Sequence, residues 1–271
     1  MTPIVLYRDM ADWRQEEEFV KRFFPCIPSR MQIKQGDLVI PRFSCLPFFK
    51  ELEADVNGVG AKLINSYEQH RYIADLGNWY EDLKELTPRT WDSVVHLPEN
   101  TSFILKGETN SKKFLFNTHF FAKDKKEAIV VQGRLLEDSL LQDQKIYIRE
   151  FVPLDKLAEG FRGLPISREY RFFVYKKTIL SGAFYWSTHA EELKDHVCST
   201  EVPKEFLHEV IERIQKTEMS EPPTYYVIDV AKTAAGNWIV VELNDGTMSG
   251  LSENNPEILY KNLKDAILRD V

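Results

Sequence analysis

Residues 225–231 read Tyr-Tyr-Val-Ile-Asp-Val-Ala, residues 232–237 Lys-Thr-Ala-Ala-Gly-Asn, and residues 238–246 Trp-Ile-Val-Val-Glu-Leu-Asn-Asp-Gly. Two apolar runs flank a short loop containing Gly236 and Asn237, the signature of a β-hairpin. Side chains alternate faces along a strand, so Trp238, Val240, Glu242 and Asn244 are expected on one face. Glu242 and Asn244 then lie roughly 7 Å apart at Cα. A turn centred on Ala235-Gly236 puts Asp229 opposite Glu242; one centred on Gly236-Asn237 puts it opposite Asn244. Either register gathers Asp229, Glu242 and Asn244 on one face. A carboxylate inside a buried strand is costly unless a charge meets it. Two acids and an amide oxygen, with no Lys or Arg in the same rows, suit a hard cation such as Mg²⁺ held together with substrate phosphates. The alternative is a hairpin whose acidic face is solvated.

Downstream, Thr247-Met248-Ser249-Gly250-Leu251 is a small-residue loop beside the expected metal, and 256–268 is a closing helix. Upstream, 204–216 is an amphipathic helix with Phe206, Leu207, Val210, Ile211 and Ile214 toward the core. Residues 169–175 (Glu-Tyr-Arg-Phe-Phe-Val-Tyr) form a strand with Glu169 and Arg171 on one face, and 179–186 returns as its antiparallel partner. An arginine in such a strand needs a carboxylate or a phosphate. Residues 145–153 (Lys-Ile-Tyr-Ile-Arg-Glu-Phe-Val-Pro) read as a strand ending in a hinge, with Phe151 and Val152 as an apolar bed for an adenine. Residues 102–113 carry an apolar strand into Lys106 and then a small, polar loop with Lys112 and Lys113, a natural phosphate cradle that is not a Walker A sequence.

Strand candidates at 3–8, 37–42 and 61–64 alternate with helical segments, which predicts a small parallel α/β unit over about the first 90 residues. Pro41 is expected to stop its strand. Arg42, just beyond it, stands where open α/β sheets expose ligand-binding residues. The 271-residue chain is long enough for two domains. Its formal charge of −7 argues against a general nucleic-acid binder. Three scattered cysteines argue against structural zinc or a disulfide framework, and no run reaches transmembrane length. These features read as a soluble, cytoplasmic protein.

The order strand–lysine–polar loop, strand–hinge, Glu-x-Arg hairpin, helix, Asp229, Glu242-x-Asn244 resembles the ATP-grasp superfamily. Glu-Tyr-Arg-Phe-Phe-Val (169–174) and Val-Val-Glu-Leu-Asn-Asp-Gly-Thr-Met-Ser-Gly-Leu (240–251) are similar to its divergent clade. That clade groups bacterial and phage proteins with a eukaryotic assembly chaperone for a translation initiation factor. The resemblance covers roughly residues 90–260. It implies an α+β ATP-grasp fold over 91–271, with lobes of about 91–150 and 151–271 clasping ATP, preceded by a pre-ATP-grasp α/β domain over 1–90.

Carried over, the resemblance makes Lys106 a phosphate contact, Glu150, Phe151 and Val152 the adenine hinge, and Arg171 a contact to phosphate or an acyl intermediate. Lys112, Lys113 and Arg149 become further phosphate contacts, and Asp229, Glu242 and Asn244 hold Mg²⁺. Arg42, Glu169 and Ser249 fall to the substrate side, where the return strand departs from the family by carrying Ala183-Phe184-Tyr185-Trp186 in place of a basic residue. The activity implied is a carboxylate–amine ligase acting through an acylphosphate, on a peptide, a protein or a small carboxylate. Two rivals stand beside it. One is an RNA-end ligase or nucleotidyl transferase, for which Arg42, Lys50, Lys123, Lys125 and Lys126 would supply a basic groove. The other is an ATP-binding assembly chaperone with little turnover.

Overall fold

The structure is a computed structural model that describes residues 1–109 and 111–270. Asn110, in the expected phosphate loop, lies outside the described residues. The chain opens with β1 (Thr2–Tyr7), α1 (Ala11–Phe23), β2 (Cys26–Ile27), β3 (Asp37–Arg42), α2 (Phe49–Gly58) and β4 (Lys62–Leu63). The four strands form a parallel sheet ordered β2-β1-β3-β4. Pro41 does not end β3 as expected, because β4 pairs only with Leu38 and Val39. Beyond those residues β3 is an edge, where a residue without an N–H is tolerated.

Ser66 and Gln69 form a reciprocal capping box that starts α3 (Tyr67–Ala74), and Asp75 caps α4 (Leu76–Leu83) through the Gly77 N–H. These two helices reach across the chain. Tyr72, Ile73, Leu76, Trp79 and Leu83 share a core with residues 226–243.

The middle of the chain supplies β5 (Thr90–Trp91), β6 (Phe103–Gly107), β7 (Phe121–Ala122), α5 (Lys125–Leu136) and β8 (Ile146–Glu150). The antiparallel order is β5-β8-β6-β7. Strand alternation decides what each side sees. Phe103, Leu105, Ile146 and Ile148 pack with Ala128, Val131 and Leu135 of α5, which leaves Ile104, Lys106 and Arg149 for the opposite face.

The chain continues with β9 (Lys156–Glu159), β10 (Pro165–Ser167), β11 (Glu169–Tyr175), β12 (Thr178–Phe184), α6 (Ala190–Leu193), α7 (Lys204–Gln215), β13 (Tyr225–Lys232), β14 (Trp238–Asp245) and α8 (Pro256–Arg269). Strands β12-β11-β13-β14 make an antiparallel sheet covered on both faces. One face, with Tyr170, Phe172, Ile228, Val230 and Val240, packs on α3, α4 and Leu207, Val210, Ile211 and Ile214 of α7. The other, with Phe173, Tyr225 and Val227, packs on α8 and on Trp13, Val20 and Phe24 from the start of the chain. Burial on both sides explains why β11 and β13 are almost continuously apolar. Each large side chain so covered contributes about 1.5–3 kcal/mol.

The β13–β14 hairpin corrects one expectation. Near its loop Lys232 pairs with Trp238 and Val230 with Val240, yet Asp229 pairs with Glu242. Val241 is the extra residue of a β-bulge, which reverses the facing of everything beyond it. Trp238 and Val240 therefore belong to the core with Tyr170, while Glu242 and Asn244 face the same way as Asp229.

Candidate functional site

A cleft of about 330 Å³ opens between the β5-β8-β6-β7 and β12-β11-β13-β14 sheets, with the antiparallel β9–β10 pair at its side. That lies within the range of small-ligand sites. Alternation on β6 brings Lys106 into it, and the bulge on β14 turns Glu242 to meet Lys106 in an ion pair. Burial pushes the Glu242 carboxyl up, but the Lys106 charge and hydrogen bond, with Lys113 behind them, hold it at about 2. Asp229 faces Arg171 directly across the β11–β13 ladder. The guanidinium grips the carboxylate with two bonds, Nε to Oδ1 at 2.8 Å and Nη2 to Oδ2 at 2.7 Å. Its Nη1 also donates to the Gly250 carbonyl at 2.9 Å. Burial disfavours the Arg171 charge, and Asp229 outweighs it, so the arginine is fixed as a cation.

The acids do have basic partners, and these come from β6 and β11 rather than from the rows of the hairpin itself. The donor set is nevertheless that of a hard cation. Asp229 and Glu242 stand opposite one another, and the Asn244 amide bonds Asp229 at 3.3 Å. Among the described residues no group of three or more His, Cys, Asp and Glu side chains is gathered to hold a metal. Two carboxylates and an amide fit Mg²⁺ only when other ligands, such as phosphate oxygens or water, complete the shell.

Lys113 lines the cleft, whereas Lys112 is paired with Asp138 at 2.9 Å. The Lys113 ammonium donates to the Tyr185 hydroxyl at 2.6 Å and lies 4.5 Å and 4.9 Å from the Tyr185 and Trp186 ring centroids. Burial lowers its pKa, but Tyr185, Glu169 and Glu242 raise it by more. Arg171 lies 4.9 Å from the ring of Tyr185, the residue just after β12. The return strand lacks a basic residue, and Lys113, from the segment after β6, brings a positive charge there. Tyr185 is the residue that sequence reasoning missed; only the aromatic pair at 185–186 signalled it.

Arg149 is buried at the joint of the two sheets. It donates to the Val241 carbonyl and to the Thr87 hydroxyl, both at 2.6 Å, and burial pulls its pKa down to about 10. The bulge therefore serves two ends, turning Glu242 inward and presenting the Val241 carbonyl to Arg149. Residues 150–152 line the apolar end of the cleft with Ile104, Phe120, Leu154 and Ile239. The Glu150 and Phe151 N–H groups are already bonded to the Arg89 and Ser102 carbonyls, each at 2.8 Å, and Glu150 is paired with Arg89. These two N–H groups of the expected hinge are engaged within the protein.

Arg42 and Ser249 do not line the cleft. Arg42 is buried, bonded through Nε and Nη2 to Glu16 at 2.8 Å and 2.7 Å, and reaches Tyr260 and the Thr247 carbonyl. It ties the parallel sheet to α1, α8 and the loop after β14. Ser249 donates to the Asp245 carbonyl at 2.7 Å, inside a turn where Asp245 also accepts from Thr247 and Asn65 and bonds His70. Both expected substrate residues are structural in this arrangement. Glu169, the third, does line the cleft.

A family model described as ATP-grasp domain, R-two-K clade family 3, matches residues 8–263. The chain belongs to the ATP-grasp superfamily, in its R-two-K clade. Comparison with curated proteins gives no significant match. Among solved structures, D-cycloserine synthetase DcsG is similar at 13% identity and a TM-score of 0.61, over 98% of this chain and 99% of that one. The ATP-grasp ligase PsnB, complexed with a minimal precursor, Mg and ADP, matches at 14% and 0.59 over 99% and 97%. The D-alanine–D-alanine ligase from Bacillus anthracis, complexed with ATP, matches at 11% and 0.52 over 99% and 96%. At these identities the likeness establishes the shared fold. No helix among the described residues is long and apolar enough to cross a membrane.

Proposed function

We propose that this ATP-grasp protein is an ATP- and Mg²⁺-dependent carboxylate–amine ligase. The observation that carries the reading is the convergence of Lys106 and Lys113 on Asp229 and Glu242 within one cleft, with the Asn244 amide bonded to Asp229. When bound, ATP and Mg²⁺ supply the phosphoryl group that activates a carboxylate, and the ion offsets phosphate charge.

In this reading Lys106 would contact the phosphates, and Glu242, now its ion-pair partner, would hold the ion with Asp229 and Asn244. Lys113 provides a second positive charge, held in place by the Tyr185 hydroxyl. Arg171, locked by Asp229, presents a fixed cation where charge develops on the transferred group. Arg149 positions the bulge, and Phe151 and Val152 bed the base. Phosphoryl transfer needs mainly such positioning and neutralisation, which suits a cleft without a nucleophile system. The same proposal covers the division into a unit over 1–90 and lobes over 91–150 and 151–271. The substrate class is a peptide, a protein or a small carboxylate, in line with neighbours described as a peptide-precursor ligase and a D-cycloserine synthetase.

Of the five basic residues of the RNA-end reading, Lys123 and Lys126 are exposed, whereas the Arg42 side chain is buried, Lys125 is paired with Glu99 and Lys50 lies over Tyr67, which favours the ligase reading over it. Calorimetry of ATP with and without Mg²⁺, on the wild type and Glu242→Gln, tests the proposal. Magnesium-dependent binding weakened at least about tenfold in the variant, or 1.4 kcal/mol, is expected. Equal binding by both proteins would remove the site assignment. Binding without ADP formation in cell extract would favour the assembly-chaperone alternative.

A further inference from the structure

Four carboxylates line the cleft: Glu150, Glu169, Asp229 and Glu242. Three are neutralised by ion pairs, Glu150 with Arg89, Asp229 with Arg171, and Glu242 with Lys106. Glu169 is different. It is buried, and its hydrogen-bond partner is the Ser167 hydroxyl; among the described residues it has no ion pair. A buried carboxylate without a counter-charge strongly favours either a proton or an incoming cation.

We infer that Glu169 is the seat of the acceptor amine: the ammonium of the incoming nucleophile docks on this carboxylate, which then takes its proton. The inference rests on the ligase reading and adds the residue that recognises the amine. The walls around Glu169 suit an ammonium group. Lys113, from the segment after β6, already lies over the rings of Tyr185 and Trp186, so this aromatic corner accommodates a primary ammonium. Asp229 on β13 adds negative charge nearby, while Lys113 opposes it, and Arg171 on the same strand is occupied by Asp229. Burial raises the Glu169 carboxyl to about 7, against the lowering influence of Ser167, Lys113 and Trp186, which poises it for proton exchange near neutrality.

The step balances without another reactant. The amine nitrogen bonds to the carbonyl carbon of an acyl phosphate, and the carbon–oxygen bond to phosphate breaks. Of the two protons the ammonium loses, the first passes to the Glu169 carboxylate before attack and frees the nitrogen lone pair; inorganic phosphate leaves with the bonding pair and carries off the second.

The test uses the full chain labelled at the glutamate carboxyl carbon and follows the Glu169 resonance, assigned with Glu169→Gln, through a pH titration. The probes are n-propylammonium and, as a neutral match in shape, 1-propanol. The amine is expected to lower the titration midpoint from near 7 by about one pH unit, and the alcohol to leave it in place. A midpoint unmoved by the amine, or moved equally by the alcohol, overturns the inference. Ser167→Ala supplies a second check if the Gln variant does not fold: loss of its hydrogen bond should raise the midpoint and keep the response to amine, and a midpoint that falls or no longer responds to amine counts against the inference. Magnesium-dependent ATP binding is measured on the same sample, so failure of the nucleotide reading and failure of the amine reading are seen separately.

Discussion

Glu242 and Glu169 lie in one cleft on one sheet, and burial pushes both carboxyls up, yet they end with opposite shifts. On β14, Glu242 meets Lys106 and is held ionised down to about 2; on β11, Glu169 has no cation at ion-pair distance among the described residues and is pushed up to about 7. Desolvation is the largest influence on both, so what separates them is the presence of a cation within ion-pair distance. The hairpin half of the site is thus electrostatically closed, each acid with its base. The β11 end is open and has a place for charge brought by a ligand.

The contrast is broken most severely at Arg171. Arg171→Met leaves Asp229 buried and uncompensated, and chemical denaturation should show a loss of about 3–5 kcal/mol. Lys106→Met makes Glu242 resemble Glu169. Its carboxyl titration should rise, with a smaller stability loss of about 2–3 kcal/mol because Glu242 is partly open to the cleft.

The third prediction concerns pH. Glu169 titrates in the folded protein above its ordinary value of 4.5, so the folded state holds more protons than the unfolded one between 4.5 and about 7. Its contribution to stability is therefore full below 4.5 and falls as pH rises through 7. Glu242 has the opposite sign, with stabilisation present above 4.5 and lost as pH falls toward 2. Glu169→Gln should remove the neutral-side decline, gaining about 2 kcal/mol relative to the wild type between pH 5 and pH 8, as measured by denaturation at each pH. The smallest effect is expected from Tyr185→Phe. It removes the bond from Lys113 at a cost of about 1 kcal/mol and leaves the ring contacts in place, so ATP affinity should fall only a few-fold in calorimetry.

Much of this was legible in the chain. Asp229 and Glu242 share one face with Asn244, and the alternation in 102–106 points Lys106 away from the buried Phe103 and Leu105. The facing of Trp238 and Val240 was not legible, because a bulge at Val241 depends on what binds the displaced carbonyl, and that partner is Arg149 from another sheet. Arg171–Asp229 was also hidden. The two residues are 58 apart in sequence and meet only because β11 pairs with β13. Arg42 looked like a ligand residue at a strand end, and only folding brings Glu16 and Tyr260 to it. Local pattern fixes which face a side chain takes within a regular strand, whereas long-range pairing decides whether a charge there is already satisfied.

The most direct test of the account is a crystal structure with a non-hydrolysable ATP analogue and Mg²⁺. The account predicts phosphates between Lys106 and Lys113, the ion on Asp229, Glu242 and Asn244, the base on Phe151, and the Lys106–Glu242 pair opened. A nucleotide bound elsewhere, or an ion held without Glu242 while the pair with Lys106 stays closed, would contradict it.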